Sequence, residues 1–395
     1  MTMSQIPYGR QSVDQSDIDA VIEVLQSDWL TQGPSVERFE DALKEHVGAR
    51  HAIAVSSGTA ALHIAAIAGG LGPGKTLWTS PNTFVASANC ALYCGAGVDF
   101  VDIDPLDGNM CAQRLAEKLE TAARQDNLPN VVVPVQFAGQ ACDMEAIGRL
   151  ARKYGFRVIE DAAHAVGGRD RAGRRIGACD DSDMTAFSFH PVKIITTGEG
   201  GAVTTNDPEL ASRLRVARTH GITRDPALID DELEGPWAYR QIEVGYNYRL
   251  TDLQAALGLS QIRRIEEFVD RRNALARRYD VLLADLPLRP LPVHDGARSA
   301  YHLYVVRLDE AAAGRSRREL FEALAAAGIR CQVHYIPVHL QPVYRRLGFG
   351  PGDFPEAEAY YREALTLPLY PAMTDADQDR VVETLREICG NGPPR

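Results

Sequence analysis

Short apolar runs alternate with amphipathic segments along the first two thirds of the chain. Helix-like stretches of about ten residues separate these runs, a pattern typical of βαβ units. Such units build a mostly parallel sheet with helices on both faces. Strands buried on both sides consist of nearly unbroken apolar residues, as these runs do. The predicted strands are HAIAV (51–55), TLWTS (76–80), VDFVDI (98–103), VVVPVQF (131–137) and FRVIED (156–161). The predicted helices cover SSGTAALHIAAIA (56–68), 84–93, 111–124 and 143–153.

The pattern changes in the last third of the chain. TAFSFH (185–190) and GAVTTN (201–206) predict two neighbouring strands, and 220–246 predicts a long loop. A charged helical stretch over 250–286 predicts a connection to a second domain. That domain is expected to contain YHLYVVRL (301–308), the helix RRELFEALAAAG (317–328), the strand RCQVHYIP (330–337) and a helix over 375–388. We therefore expect a large domain over 1–250 and a linking helix with a small domain over 251–395.

Length and composition agree with two globular domains. The chain has 395 residues, of which 45% are hydrophobic and 24% charged, and a single core seldom supports this length. A net charge of −11 and a pI near 5.4 argue against nucleic acid as the main partner. The start MTMSQIPYGRQ lacks the features of a signal peptide, and no apolar run approaches the roughly 20 residues needed to span a bilayer. Seven scattered cysteines favour a reducing cytoplasm.

GGLGPGKT (69–76) matches the phosphate-loop pattern of nucleotide triphosphatases. In those proteins, however, the loop follows a strand and opens a helix, whereas here it follows a predicted helix and precedes a predicted strand. We therefore interpret the match as a helix end, with glycines after the last turn and a proline that stops it.

Four other stretches carry candidate chemistry. Ser57-Gly58-Thr59 follows a strand and opens a helix, where backbone N–H groups favour an anion; a simple helix cap explains these residues equally well. Asp161 ends a buried strand, at the sheet edge where ligands collect in α/β folds, or else caps a helix. Lys193 lies on a turn among apolar residues that would favour the neutral amine, or else is a surface lysine. Asn247 precedes a long helix as a polar contact or a cap.

Together these residues provide the groups that pyridoxal phosphate (PLP) needs. Lys193 can form a Schiff base, Asp161 can keep the pyridine nitrogen protonated, and Phe84 can lie flat against the ring. Ser188 can join the 57–59 turn in holding the phosphate. No metal site is expected, because the ten histidines show neither H-x-x-x-H nor H-E-x-x-H spacing.

Five blocks then resemble, in order, those of the DegT/DnrJ/EryC1/StrS family of PLP-dependent nucleotide-sugar aminotransferases: SSGTAALHIA, SPNTFVASAN, IEDAAHAVGG, FSFHPVKIITTGEGGAVTTND and YNYRLTDLQAALGLSQ. The resemblance covers nearly the whole chain. It implies the α/β fold of type I PLP-dependent transferases (aspartate aminotransferase-like), with a mixed, mostly parallel seven-stranded sheet and a smaller C-terminal α/β domain. Four segments are most similar to the branch of UDP-4-amino-4,6-dideoxy-N-acetyl-β-L-altrosamine transaminases in pseudaminic acid biosynthesis: IPYGRQ, DWLTQG, FSFHPVKIITT and QVHYIPVHLQPVYRRLGF.

The resemblance also implies roles for individual residues. Lys193 and Asp161 would be catalytic, His164 would lie near the ring oxygen of the cofactor, and Asn247 would reach in from the other subunit of a homodimer. Residues that would contact the nucleotide sugar are Tyr8, Asp28, Trp29, Leu30, Thr31, His334, Tyr335, Ile336 and Pro337, with Ser57, Ser188 and Asn247 shared between sugar and cofactor. Gly198 stands where many relatives have alanine, with no expected loss of activity.

The implied reaction moves the amino group of L-glutamate, through pyridoxamine phosphate, to C4 of a UDP-linked 4-keto-6-deoxy N-acetylhexosamine. Another UDP- or dTDP-linked 4-keto sugar is an alternative substrate. Relatives that perform sugar 3-dehydration carry histidine at the Schiff-base position, so Lys193 favours amino transfer. A regulatory or accessory protein that binds PLP without turnover is the alternative from a different class.

Overall fold

The computed structural model describes residues 5–229 and 233–390. Three short segments lie outside the described residues: 1–4 at the start of the predicted large domain, 230–232 in the predicted loop, and 391–395 in the predicted small domain. The helices are α1 Gln15–Leu25, α2 Pro34–Val47, α3 Gly58–Ala68, α4 Ala86–Tyr93, α5 Ala112–Arg124, α6 Met144–Tyr154, α7 Pro208–Arg218, α8 Asp252–Ile262, α9 Ile265–Leu282, α10 Glu310–Ala313, α11 Arg317–Ala326, α12 Pro342–Arg345, α13 Pro355–Glu363 and α14 Asp375–Gly390.

The strands are β1 His51–Val55, β2 Thr76–Thr79, β3 Gly97–Phe100, β4 Val131–Val133, β5 Arg157–Asp161, β6 Met184–Ser188, β7 Gly201–Thr205, β8 Ile222–Thr223, β9 Arg240–Gln241, β10 Leu288–Pro290, β11 Tyr304–Leu308 and β12 Ala364–Leu367. Seven of them form the main sheet in the order β1-β7-β6-β5-β4-β2-β3. All its neighbouring pairs are parallel except those that β7 makes with β1 and β6. The predicted mixed, mostly parallel seven-stranded sheet is confirmed.

Helices cover both faces of this sheet and supply its cores. One core packs α3 and α7 against β1, β2, β5 and β7 through residues such as Ile53, Ile64 and Leu214. A core on the other face joins α2, α8 and α9 through Phe39, Ile262 and Val269, which pack with Phe187 of β6. Because strands such as β4 are buried along their whole length, the alternating pattern of a half-exposed strand is absent and the apolar runs are explained.

A second, three-stranded antiparallel sheet has the order β10-β11-β12. It shares a hydrophobic core with α9, α11 and α14, and Ile6 from the beginning of the chain inserts into the same core. Ile6 also exchanges backbone hydrogen bonds with Gly328 and Arg330. The N-terminal segment is thereby attached to the C-terminal part of the chain. The domain boundary at 250/251 stays a prediction.

Several predicted elements need correction. No strand forms over 330–337; Gln332 alone pairs with Thr366, because the residues after it turn toward a cavity at the carboxyl ends of β1, β5 and β6. The strand predicted over 131–137 ends at Val133, since Pro134 has no N–H to donate to the ladder. The strand predicted over 98–103 ends at Phe100.

The helix predicted over 250–286 is two helices, α8 and α9. At the junction, Arg264 donates at 2.6 Å to both Asp14 and Asp17 of the α1 N-terminus. The predicted loop over 220–246 contains the short antiparallel strand pair β8–β9.

The segment that matches the phosphate-loop pattern lies between a helix and a strand, as predicted. Residues 69–76 follow α3 and lead into β2, and Gly70 takes a positive φ of 80°. Lys75 Nζ donates to the carbonyl of Gly70 at 2.5 Å, so the lysine closes its own loop. The prediction of a helix end is confirmed. Within the described part of the chain, no helix is long and apolar enough to cross a bilayer.

Candidate active site

A cavity of about 670 Å³ lies at the carboxyl ends of β1, β5 and β6. β1 and β6 both run antiparallel to β7, so their carboxyl ends meet at the edge where α/β folds bind ligands. Twelve of the predicted site residues line this cavity: Tyr8, Ser57, Gly58, Thr59, Phe84, Asp161, His164, Ser188, Lys193, His334, Tyr335 and Ile336. Segments scattered from position 8 to position 336 therefore converge at one place.

The α3 N-terminus forms one end of the cavity. Ser57 is the N-cap residue, and its Oγ accepts a hydrogen bond from the Ala60 amide at 3.1 Å. A Cβ placed on Gly58 would lie 2.7 Å from Ser188 Cβ, so glycine alone fits this close approach of the helix to β6. The helix dipole favours an anion here, and the Thr59 and Ser188 hydroxyls lie in the same cavity wall. This end has the donors that a phosphate monoester requires.

Asp161 is the last residue of β5 and is 5% exposed. Its Oδ2 accepts a hydrogen bond from Ser87 Oγ at 2.5 Å, and its Oδ1 accepts one from the Ala163 amide at 3.1 Å. Burial raises the pKa of the carboxyl, while the Ser87 hydrogen bond and the Lys193 charge oppose that rise. A cationic ring nitrogen beside this carboxyl would complete its set of partners.

Lys193 lies on the connection between β6 and β7, where FSFHPVKIITTGEGG folds back on itself. The Phe189 amide donates to Gly200 and the Thr197 amide donates to Phe189, while Ile194 and Ile195 are buried. These contacts fix the turn and direct the Lys193 amine into the cavity. Burial lowers the pKa of Lys193 to about 8, partly opposed by the Asp161 charge. Near neutral pH the amine is therefore closer to its nucleophilic form than an exposed lysine.

His164 is buried beside Asp161 in the cavity wall. Its Nε2 lies 3.1 Å from Tyr335 Oη, and burial holds its pKa well below the usual range. Its buried Nδ1 lacks a protein partner within the described residues. His334, next in the wall, uses Nδ1 to contact Thr366 Oγ1 at 2.8 Å. These two imidazoles are neutral polar groups in the cavity wall, on the side of Asp161.

The residues present fit PLP by their chemistry. An amine, a buried carboxylate and a helix N-terminus with hydroxyls share one cavity, and the orphaned His164 Nδ1 offers a group for a ring substituent. Phe84 lies in the cavity wall, 6.4 Å from the Tyr335 ring between centroids. Lys193 would hold the aldehyde carbon, Asp161 the ring nitrogen, and residues 57–59 with Ser188 the phosphate.

Six predicted site residues lie outside this cavity in a single chain. Asp28, Trp29, Leu30 and Thr31 form an exposed stretch, and Asn247 is also exposed. Asn247 pairs instead with Thr219. Pro337 is buried just beyond the cavity wall. Their predicted contacts with cofactor or sugar require a second subunit or a bound substrate and stay predictions.

The structure adds cavity residues that sequence reasoning missed. His302 lies 3.5 Å from Lys193, measured between Nε2 and Nζ, and Thr83, Glu199 and Gln341 line the same wall. Ser87, which is not a lining residue but hydrogen-bonds to Asp161, was also missed, although it belongs to the SPNTFVASAN block. A lone histidine ahead of a strand gives no sequence signal that separates it from an ordinary core residue.

Comparison with known proteins agrees with this geometry. The model of the DegT/DnrJ/EryC1/StrS aminotransferase family matches residues 11–386. The spore coat polysaccharide biosynthesis protein SpsC of Bacillus subtilis (strain 168) is 42% identical over 386 residues, which cover 97% of each chain.

Two solved structures share the whole fold. Helicobacter pylori PseC, an aminotransferase involved in the biosynthesis of pseudoaminic acid, superposes with a TM-score of 0.88 at 29% identity, covering 98% of this chain and 100% of PseC. Spr1654 of Streptococcus pneumoniae, in its PLP form, gives a TM-score of 0.87 at 27% identity, covering 99% and 100%; it is also known in a PMP form. The chain described here belongs to the DegT/DnrJ/EryC1/StrS aminotransferase family and is a sugar aminotransferase with pyridoxal phosphate as its cofactor.

Proposed function

We propose that this enzyme transfers the amino group of L-glutamate to C4 of UDP-2-acetamido-2,6-dideoxy-β-L-arabino-hexos-4-ulose. The product is UDP-4-amino-4,6-dideoxy-N-acetyl-β-L-altrosamine, for pseudaminic acid biosynthesis. The observation that carries the proposal is the convergence of the Lys193 amine, the Asp161 carboxyl and the α3 N-terminus on one cavity. That set of groups serves amino transfer and leaves the rest of the cavity for a sugar.

Lys193 is the proposed acid–base residue. PLP, when bound, supplies an electron-accepting ring conjugated to the carbon–nitrogen bond of the reacting amine. Lys193 would move one proton in each half of the reaction: its neutral amine would take the proton from the glutamate α-carbon and pass it to the bound cofactor, and in the second half it would carry a proton from the cofactor to C4 of the sugar. A placed general base of this kind contributes typically about 10²–10⁴-fold in rate.

Asp161 and the α3 N-terminus hold the reacting groups in register. The Asp161 carboxylate stabilises a protonated ring nitrogen, since the opposite charge is close and water is excluded. Ser57, Thr59 and Ser188 bind the phosphate and orient the ring toward Lys193. They hold the phosphate and are binding residues, while Lys193 moves the protons.

Two lines of evidence support the choice of sugar. PseC, an aminotransferase involved in the biosynthesis of pseudoaminic acid, shares the complete fold. Tyr8, His334 and Tyr335 also line the cavity, in segments similar to the altrosamine transaminase branch. The 42% identity to a spore coat polysaccharide protein favours a second candidate, 4-amination of another UDP- or dTDP-linked 4-keto-6-deoxy sugar.

We also propose that the enzyme is a homodimer with shared active sites. Asn247 and the 28–31 stretch lie outside the cavity of their own chain, and Trp29 is 57% exposed. Leu25 and Leu30 are exposed beside it, at 57% and 45%, and a group of large exposed apolar side chains is typical of a surface that another protein covers. In the proposed dimer, Asn247 of each subunit completes the other subunit's phosphate site.

The proposed location is the cytoplasm. All seven cysteines are free thiols, and Cys90, Cys142 and Cys179 are buried. Burial raises the pKa of Cys142 well above its usual value, so this thiol is held in its unreactive form. A chain without cystine crosslinks suits a reducing compartment.

The experiment that tests the substrate is product analysis on a panel of 4-keto nucleotide sugars with glutamate. Mass spectrometry and NMR of the product should detect a 4-amino sugar from the UDP-L-arabino-hexos-4-ulose. Amination of other 4-keto sugars alone would contradict the substrate and favour the second candidate. Incubation with glutamate alone separates an enzyme from a PLP-binding regulator, since only the enzyme releases 2-oxoglutarate in an amount equal to its bound cofactor.

A further inference from the structure

His302 is a buried imidazole beside the proposed acid–base lysine. Its Nε2 lies 3.5 Å from Lys193 Nζ, and its side chain lines the same cavity. The two residues are 109 positions apart in sequence. Lys193 comes from the β6–β7 connection and His302 from the segment entering β11, so the two halves of the fold meet at this contact.

The imidazole has an unusual hydrogen-bond environment. His302 is 6% exposed, its ring centroid lies 4.4 Å from that of His164, and its buried Nδ1 lacks a partner within the described residues. Buried polar atoms normally find partners. With Nδ1 unpartnered, the Lys193 amine at Nε2 is the hydrogen-bonding group that the imidazole meets among the described residues.

The backbone around His302 is held from two sides. The buried Arg272 of α9 donates through Nη1 to the carbonyls of Tyr301 at 3.1 Å and His302 at 3.4 Å. On the other side, a Cβ placed on Gly139 would lie only 2.7 Å from the Tyr301 amide. Tyr301 itself adopts a positive φ of 46°, a conformation that persists where the surroundings determine it. Contacts on both sides thus fix the backbone that carries the His302 imidazole.

The charges around this contact keep the imidazole neutral. Burial lowers the pKa of His302 well below its usual value, and the nearby Lys193, His164, Arg272 and His334 lower it further. Asp161 is the acidic group that acts on Lys193, and both its oxygens already accept hydrogen bonds from Ser87 and Ala163. A neutral imidazole therefore offers the Lys193 amine an acceptor with a lone pair still available.

We propose that His302 is a positioning residue, whose Nε2 accepts a hydrogen bond from the free Lys193 amine and holds that amine beside the reacting carbon. The hydrogen bond forms whenever Lys193 is not attached to the cofactor. It favours the ammonium form, since the donor is then charged, and so keeps the proton at hand for its return to substrate. This role rests on the proposed function, in which Lys193 is the acid–base residue.

The test measures the pKa of Lys193 in the full chain after removal of the cofactor. Acetic anhydride in two isotopic forms labels the amine, and mass spectrometry of the Lys193 peptide gives labelling against pH. The matched variants are His302→Leu, which removes the acceptor, His302→Gln, whose amide oxygen can replace Nε2, and His302→Asn, whose amide is too short.

We expect His302→Leu and His302→Asn to lower the labelling midpoint of Lys193 by about one pH unit, as the loss of a hydrogen bond to a charged group implies. His302→Gln should return the midpoint toward that of the unsubstituted chain. In the loaded enzyme, kcat should fall about tenfold in the Leu variant with little change in KM for the sugar. If His302→Leu fails to fold, the comparison of the Lys193 midpoints in His302→Asn and His302→Gln tests the proposal.

An unchanged midpoint in the Leu or Asn variant would overturn the role of His302. This result is distinct from failure of the proposed function. If the unsubstituted chain forms no covalent link with PLP at Lys193, the function itself fails. If it forms that link and the His302 variants keep the same Lys193 midpoint, only the positioning role is lost.

Discussion

Ser87 Oγ donates a 2.5 Å hydrogen bond to Asp161 Oδ2, and both side chains are buried. This contact joins the α4 helix to the end of β5, across 74 positions of sequence. It opposes the burial that raises the pKa of the Asp161 carboxyl. Ser87 thereby favours the charged form of Asp161, which amino transfer needs.

Ser87→Ala should weaken catalysis most on the acid side of the pH profile. Without the hydrogen bond the pKa of Asp161 rises, so the carboxylate is lost at a higher pH as the pH falls. The loss of about 1.5 kcal/mol from a hydrogen bond to a charged group corresponds to roughly tenfold in rate. The measurement is the glutamate half-reaction against pH. Ser80→Ala is the control, since Ser80 Oγ is buried and has no hydrogen-bond partner among residues 5–229 and 233–390; an acid limb at the same pH in both variants would contradict this role of Ser87.

Gly58→Ala should weaken cofactor binding. The added Cβ would lie 2.7 Å from Ser188 Cβ, so the α3 N-terminus and β6 must separate where the phosphate is held. Overpacking of this kind costs about 1–3 kcal/mol, which corresponds to a Kd for PLP raised about 5- to 150-fold. Gly72→Ala is the matched control, because an added Cβ there meets no atom within 4 Å. Equal Kd values in the two variants, by equilibrium dialysis, would remove Gly58 from the phosphate site.

The attachment of PLP to the unloaded chain should depend on pH through Lys193. Burial lowers the pKa of this amine to about 8, and the neutral amine is the nucleophile, so the rate of attachment rises as pH increases through that value. Stopped-flow absorbance after mixing with PLP measures the midpoint. A midpoint near 10.5, the ordinary lysine value, would mean that Lys193 is exposed to solvent and that the described burial is wrong.

Mixing two inactive variants should restore activity if the sites are shared. Lys193→Ala lacks the amine, and Asn247→Ala lacks the group proposed to complete the site of the other subunit. In a mixed dimer, one site has both defects and the other has neither. Steady-state rates of the variants apart and after co-refolding measure the effect. Activity no greater than the sum of the separate variants would contradict the proposed role of Asn247.

Candidate residues could be found from the sequence when a recognisable strand, helix or turn lies next to them. Ser57 to Thr59 could be found because a strand and a helix flank them, and Asp161 because it ends an apolar run. Lys193 stood out through its apolar turn. In each case the local sequence pattern is enough to place the residue at the edge of the sheet where the cavity lies.

What sequence reasoning missed depends on contacts between distant segments. Ser87 and His302 contact Asp161 and Lys193 from 74 and 109 positions away, and nothing near either residue records that distance. The strand predicted over 330–337 failed for a related reason. Its apolar and β-branched residues suit a strand, but His334 and Tyr335 face the cavity, so tertiary contacts determine its path.

The attachment of the cofactor to Lys193 is the central claim, and reduction followed by peptide mapping tests it most directly. Holoenzyme treated with borohydride and digested should carry the cofactor mass on the peptide that contains Lys193. Lys193→Ala should keep its fold by circular dichroism while losing both that adduct and transamination. An adduct on another lysine, or normal turnover by Lys193→Ala, would contradict the account.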